Sequence, residues 1–133
     1  MSILKHNTLL LTLRVFSATG GIEKVCRVVG KLLYEASVQF NTKTHVLSMY
    51  DKREDINGNR YFPAEIFRGY NMAKIKFIFA AVRESRKYDV IILSHINLLP
   101  VGWIIKLRYP SKKIILFSHG IEIWGRVSKL QKR

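Results

Sequence analysis

The chain has 133 residues, of which 48% are apolar, 23 are Lys or Arg and 9 are Asp or Glu, giving a formal net charge of +14. That length suits one domain with a real core, the apolar content excludes a disordered chain, and the charge calls for an anionic partner or surface. Cys26 is the single cysteine, which excludes an internal disulfide or a cysteine-based zinc site and fits a reducing compartment.

The excess charge is lopsided. Residues 68–133 carry 14 basic and 3 acidic groups, net +11, against 9 and 6, net +3, in residues 1–67. The opening stretch MSILKHNTLLLTLRV has a basic residue and a short apolar run, but Arg14 interrupts the run and no small-residue cleavage site follows, so it reads as strand rather than signal peptide. The most apolar later segment, residues 90–107, contains His95, Asn97, Pro100, Gly102 and Lys106, a poor composition for a membrane span. A soluble or peripheral protein is expected.

Residues 9–17 are apolar and β-rich apart from Thr12 and Arg14, the pattern of a strand buried on both faces of a parallel sheet. Gly20 and Gly21 end it. Beyond them Ile22, Val25, Cys26, Val29, Leu32, Leu33 and Ala36 recur at helical spacing and predict an amphipathic helix with this face inward. A helix that starts just after a strand aims its free N–H groups and positive dipole end at the turn, where an anion is the natural occupant. The turn itself, Ala18-Thr19-Gly20-Gly21, is neither G-x-G-x-x-G nor a P-loop.

Residues 44–50 (THVLSMY) predict a second strand, and a strand, helix, strand unit of this length implies parallel pairing with a right-handed crossover. Residues 51–59 are polar, include the turn pair Asn57-Gly58 and read as an exposed loop. Tyr61, Phe62 and Pro63 lead into a second helix over 71–86, with Met72, Ile75, Ile78, Phe79 and Val82 expected inward. Phe77 and Ala81, near Lys74, fall on its opposite face.

Residues 88–95 (YDVIILSH) predict another buried strand, and 97–109 a short helix with Pro100 in its first turn and Pro110 as its stop. Residues 113–118 (KIILFS) are a further strand running straight into His119, Gly120 and Glu122. Residues 126–133, with four basic groups and no acidic one, start another helix. The fold class expected is therefore α/β, an open Rossmann-like parallel sheet with flanking helices.

In such a sheet ligands bind outside the carboxyl ends of the strands. Gly20 and Gly21, His95, and His119, Gly120 and Glu122 all fall there, after three different strands. Two histidines and a carboxylate can hold zinc or iron, but they come from separate strands without H-x-x-x-H or C-x-x-C, so no metal is expected. G-x-S-x-G is absent, which argues against a serine hydrolase. Nucleic-acid binding suits the charge but lacks a zinc finger or an aromatic RNA-binding signature, and stays only as a rival.

A buried strand into T-G-G-I-E-K-V, then Y-D-V-I-I-L-S-H, then K-I-I-L-F-S-H-G-I-E-I-W resembles the amino-terminal domain of the family 4 glycosyltransferases, over residues 9–124. The resemblance implies the amino-terminal half of a GT-B architecture, with sugar transfer from a nucleotide sugar, retention of configuration and no essential metal or other cofactor. By position, Gly20 and Gly21 would approach the donor diphosphate, His95 would reach the transferred sugar as the catalytic residue, and His119, Gly120 and Glu122 would line the acceptor side. The acceptor would be a glycan or a lipid-linked molecule of the cell-envelope polysaccharide or lipopolysaccharide type. The basic second half would then work in the cytoplasm at an anionic inner membrane face. The family's donor-binding domain, with paired glutamates seven residues apart, is not found in these residues. The 133 residues are accordingly expected to form a single, incomplete domain: a fragment, a truncated reading frame or a split subunit with a separate carboxy-terminal half, inactive alone. The rival reading is a non-catalytic basic module for a membrane surface or nucleic acid on a flavodoxin-like scaffold.

Overall fold

The structure is a computed structural model and describes residues 5–17, 21–58 and 61–116. Five strands form one parallel sheet: β1 (Thr8–Thr12), β2 (Thr44–Ser48), β3 (Phe67–Gly69), β4 (Val90–Leu93) and β5 (Lys113–Leu116), in the order β3-β2-β1-β4-β5. The helices are α1 (Gly21–Phe40), α2 (Lys74–Ser85) and α3 (Leu99–Arg108). This is the Rossmann-like α/β class expected from the apolar runs.

The central strands are apolar on both faces because both faces are covered. In β1 every residue is buried, and side chains alternate between two clusters. Leu9, Leu11, Leu47, Ile91 and Leu93 pack beneath α2 and α3, whereas Leu10, Val46, Val90 and Ile92 pack beneath α1. The register is in step across the middle of the sheet, with Leu10 opposite Val46 on one side and Ile92 on the other. Threonines at the two ends of β1 are buried but satisfied: Thr8 Oγ1 lies 2.8 Å from Thr44 Oγ1, and Thr12 Oγ1 donates to Leu47 O at 3.0 Å.

Helix α1 stops at Asn41, whose φ of 54° is left-handed and brings the Thr42 N–H back to Ser37 O at 3.0 Å. Its inward stripe is Cys26, Gly30, Leu33 and Ala36. Leu32, expected inward, is 56% exposed. The difference comes from Gly30, which the apolar pattern passed over. A Cβ there would fall on the ring of Phe62, so the helix pivots toward the Phe16, Phe62 and Phe67 cluster and turns Leu32 out.

Three further expectations change. The first strand ends at Thr12 rather than residue 17, and the second at Ser48 rather than residue 50. The polar stretch 51–58 is not simply an exposed loop: Asp51 and Ile56 are buried, the latter on a short 3-10 turn over Arg53–Ile56. Strand β3 was not legible, because three residues with one charged member carry no alternation signal, and parallel pairing with β2 makes it a strand.

The largest correction concerns α2, which is rotated from the expected setting: Ile78 and Val82 pack against the core as expected, but only at its margin. Phe77 and Ala81 are completely buried, while Met72, Ile75 and Phe79 are exposed. Ala80 and Ala81 let the helix approach the sheet closely, and Phe77 meets Tyr70 edge to face at 5.7 Å. Among the described residues, no helix is long and apolar enough to cross a membrane. The predicted helix over 126–133 lies outside the described residues.

Gly30→Ala tests the helix contact by its sign. Propensity alone would stabilise α1 by about 1 kcal/mol. Overpacking against the confined Phe62 ring costs about 1–3 kcal/mol. Urea unfolding is therefore expected to show a net loss of stability.

Candidate functional site

The chain builds outward from β1 through β2 to β3, then crosses back to place β4 and β5 on the other side of β1. The loops after β1 and β4 consequently part in opposite directions and leave a crevice between them, at the topological switch point.

The loop after β1 is shaped by Asp51. Its carboxylate is completely buried and accepts the backbone N–H groups of Val15 at 2.5 Å, Ser17 at 2.7 Å and Phe16 at 3.3 Å, together with the Ser48 hydroxyl at 2.7 Å. Successive amides wrapped round one carboxylate form an anion nest filled by the protein's own side chain. The same turn is locked from behind. Gly69 lies so close to the Asp51 carbonyl that any Cβ would collide with it, and Asn71 N–H donates to that oxygen at 2.9 Å. Arg27 reaches from α1 to donate to Val15 O at 3.1 Å.

Held in this way, the β1 loop forms one wall of a pocket of about 170 Å³. Leu13 and Arg14 come from that loop, Tyr50 from the end of β2, Glu23 and Cys26 from the first turns of α1, and Ser94 and His95 from the end of β4. The exposed Arg14 guanidinium stacks over the Tyr50 ring at 5.0 Å, which steadies a cation at the mouth.

His95 is the site histidine that the structure places in this pocket. Its backbone caps the short 3-10 turn Ile96–Leu98, and its Nδ1 accepts the Asn97 N–H at 3.0 Å. With Nδ1 committed as an acceptor, the neutral ring carries its proton on Nε2, which is thereby a hydrogen-bond donor. Gly21 opens α1, two residues before the Glu23 that lines the pocket, and the space where its Cβ would lie is empty. Its φ is not left-handed, so its own backbone does not require glycine, and among the described residues nothing occupies the space beside this helix end. Gly20, His119, Gly120 and Glu122 lie outside the described residues.

Burial pushes the Cys26 thiol from its ordinary value near 9 up to about 11, against the opposing hydrogen bond with Ser94. It is 2% exposed, so it stays protonated at neutral pH and forms an apolar floor rather than a nucleophile. Among the described residues, no group of His, Cys, Asp and Glu is arranged to hold a metal ion. The pocket's polar set is thus a cation, a carboxylate, a hydroxyl and an imidazole N–H, suited to a ligand rich in oxygen atoms.

Arg14, Glu23, Tyr50, Ser94 and Asp51 were not singled out from sequence. Their shared signal is position: each sits at or just past a strand's carboxyl end or at the start of a helix. Comparison with family models, characterised proteins and solved structures finds no match to this chain.

Two measurements check this account. Asp51→Asn keeps the shape but turns an amide N–H₂ toward backbone donors, so thermal unfolding should show a loss of about 2–4 kcal/mol. For Cys26, the unfolded chain releases its proton near pH 9 while the folded chain holds it to about pH 11, so this thiol's contribution to stability falls as pH rises through that window. Urea unfolding across the window should show a shallower decline for Cys26→Ala than for the native chain.

Proposed function

We propose that the chain forms the acceptor-side domain of a retaining GT-B glycosyltransferase of the family 4 type, moving a sugar from a nucleotide sugar to a glycan or lipid-linked acceptor. The observation that carries the reading is the switch-point pocket, where His95 and Ser94 after β4 meet Arg14 after β1 and Glu23 on α1. Each group has a role in handling a sugar. The His95 Nε2–H donates to a sugar oxygen, the Glu23 carboxylate accepts from hydroxyls, and Arg14 with the start of α1 at Gly21 offsets the charge of a departing diphosphate.

Transfer of this kind breaks the bond between the anomeric carbon and the diphosphate oxygen and forms one to the acceptor oxygen, whose proton leaves with the diphosphate. Fixed hydrogen-bond donors and correct orientation are what the protein must supply, and no covalent protein intermediate is required. On this reading turnover needs a donor-binding domain, while the pocket's own contacts are measurable on these residues.

A second reading, a basic binding module for nucleic acid, rests on the net charge of +14. Titration of the ¹⁵N-labelled chain with UDP- and GDP-sugars, followed by amide NMR shifts, distinguishes the two. Shifts at Gly21, Ser94 and His95 are expected, with His95→Ala weakening affinity about tenfold, the worth of one hydrogen bond to an oxygen-rich ligand. No shift at these residues with any nucleotide sugar, alongside salt-sensitive DNA binding indifferent to His95→Ala, would favour the binding module.

A further inference from the structure

Helices α2 and α3 lie side by side on one face of the sheet, and each carries two apolar stripes rather than one. On α2, Phe77 and Ala81 are at 0% exposure while Ile75 and Phe79 are at 71% and 74%. On α3, Val101 and Ile105 are at 4% and 0% while Trp103 and Leu107 are at 68% and 73%. In both helices the two stripes are offset by two residues, a rotation of about 200°. On α2 the second stripe therefore points away from the sheet, while on α3 the largely exposed Trp103 also borders a pocket with Leu93, Gly102 and Ile114. Met72 and Ile104 extend the same outward surface. A contiguous face of Trp, Phe, Ile, Leu and Met in water calls for a covering.

The surrounding charge is of one sign. Lys74, Lys76 and Arg83 on α2, Arg86 just after it, and Lys106 and Arg108 on α3 are all exposed. Between residues 71 and 109 the only acidic side chains are Glu84 and Asp89. Glu84 is paired with Arg83 and Lys87 at 3.7 and 3.8 Å, and the exposed Asp89 lies beside His6 at 3.7 Å.

This composition selects among coverings. A second copy meeting this face through the same surface would press one basic rim against another. A nucleic acid would meet the cations but leave the apolar stripe against its phosphates. An anionic bilayer satisfies both, because aromatic and aliphatic side chains enter the boundary between headgroups and acyl chains while Lys and Arg meet lipid phosphates.

We propose that the outward face of α2 and α3 docks the protein on an anionic lipid bilayer, with Ile75, Phe79, Trp103 and Leu107 inserted and the flanking Lys and Arg on the headgroups. The surface stands independently of what the switch-point pocket takes.

The test is co-sedimentation of the full chain with vesicles of phosphatidylcholine containing about one third phosphatidylglycerol, and with vesicles of phosphatidylcholine alone. Binding to the anionic vesicles at least about tenfold tighter than to the neutral ones is expected, weakening with salt. Phe79→Ser with Trp103→Ser should lower partitioning about tenfold at unchanged circular dichroism, since both side chains are exposed. Lys76→Glu with Arg83→Glu provides a second, independent variant that should weaken binding to the anionic vesicles. The part of the tryptophan emission lost in Trp103→Phe should shift to the blue on binding and be quenched by brominated acyl chains. Failure to bind either vesicle, or binding unchanged by both double substitutions, would overturn the proposal. So would a dimer without vesicle binding that the Phe79 and Trp103 substitutions dissociate, which would assign the face to a second copy.

Discussion

The buried carboxylate of Asp51 is the interaction on which the carboxyl end of this sheet depends. It takes the amides of Val15, Phe16 and Ser17 and the hydroxyl of Ser48, so one side chain ties the end of β2 to the loop that follows β1. The buried Val15 amide left without an acceptor would carry a desolvation penalty, and the part-buried amides of Phe16 and Ser17 add to the donors that let Asp51 sit at 0% exposure. The same residue's backbone receives Asn71 and abuts Gly69, extending the constraint to β3 and to the approach of α2. The crevice wall is rigid because its loop is fastened at consecutive residues.

That fastening gives the pocket its character. A free nest at the end of β1 would itself attract an anion, but here the protein's own carboxylate fills it, and the ligand-facing groups are instead Arg14, Glu23, Ser94 and His95. On the proposed reading, the mixture of one cation, one carboxylate and neutral donors would serve a polyhydroxylated ligand bearing a phosphate. His95 contributes through Nε2 because Asn97 has claimed Nδ1, a local detail that turns a histidine into an orienting donor.

The two sheet faces are covered in different ways. Helix α1 presses on its face through Gly30 and the Phe16, Phe62 and Phe67 rings, leaving Leu32 outside. Helices α2 and α3 press on the other through Ala80, Ala81 and Gly102, small residues that let the backbones come close. On the sheet side the small residues leave space for only a few large side chains, Phe77, Val101 and Ile105 among them. Bulky apolar residues are then carried outward, and a basic, apolar surface is the result.

The sequence by itself determined the class of fold. Continuous apolar runs at 9–11, 90–93 and 114–116 suit burial between two helical layers, and the spacing of strands with helices between them points to parallel pairing. It also put His95 just past β4 and Gly21 at the start of α1, because strand ends are marked by where apolar runs stop. Tertiary structure alone decided which of two apolar stripes on α2 faces inward, since both satisfy the helical period and only the fit of Ala80, Ala81 and Phe77 to the sheet separates them. It alone made residues 67–69 a strand and Asp51 a buried hub, because those roles come from partners about 20 to 36 residues away in the chain, which a local pattern does not encode.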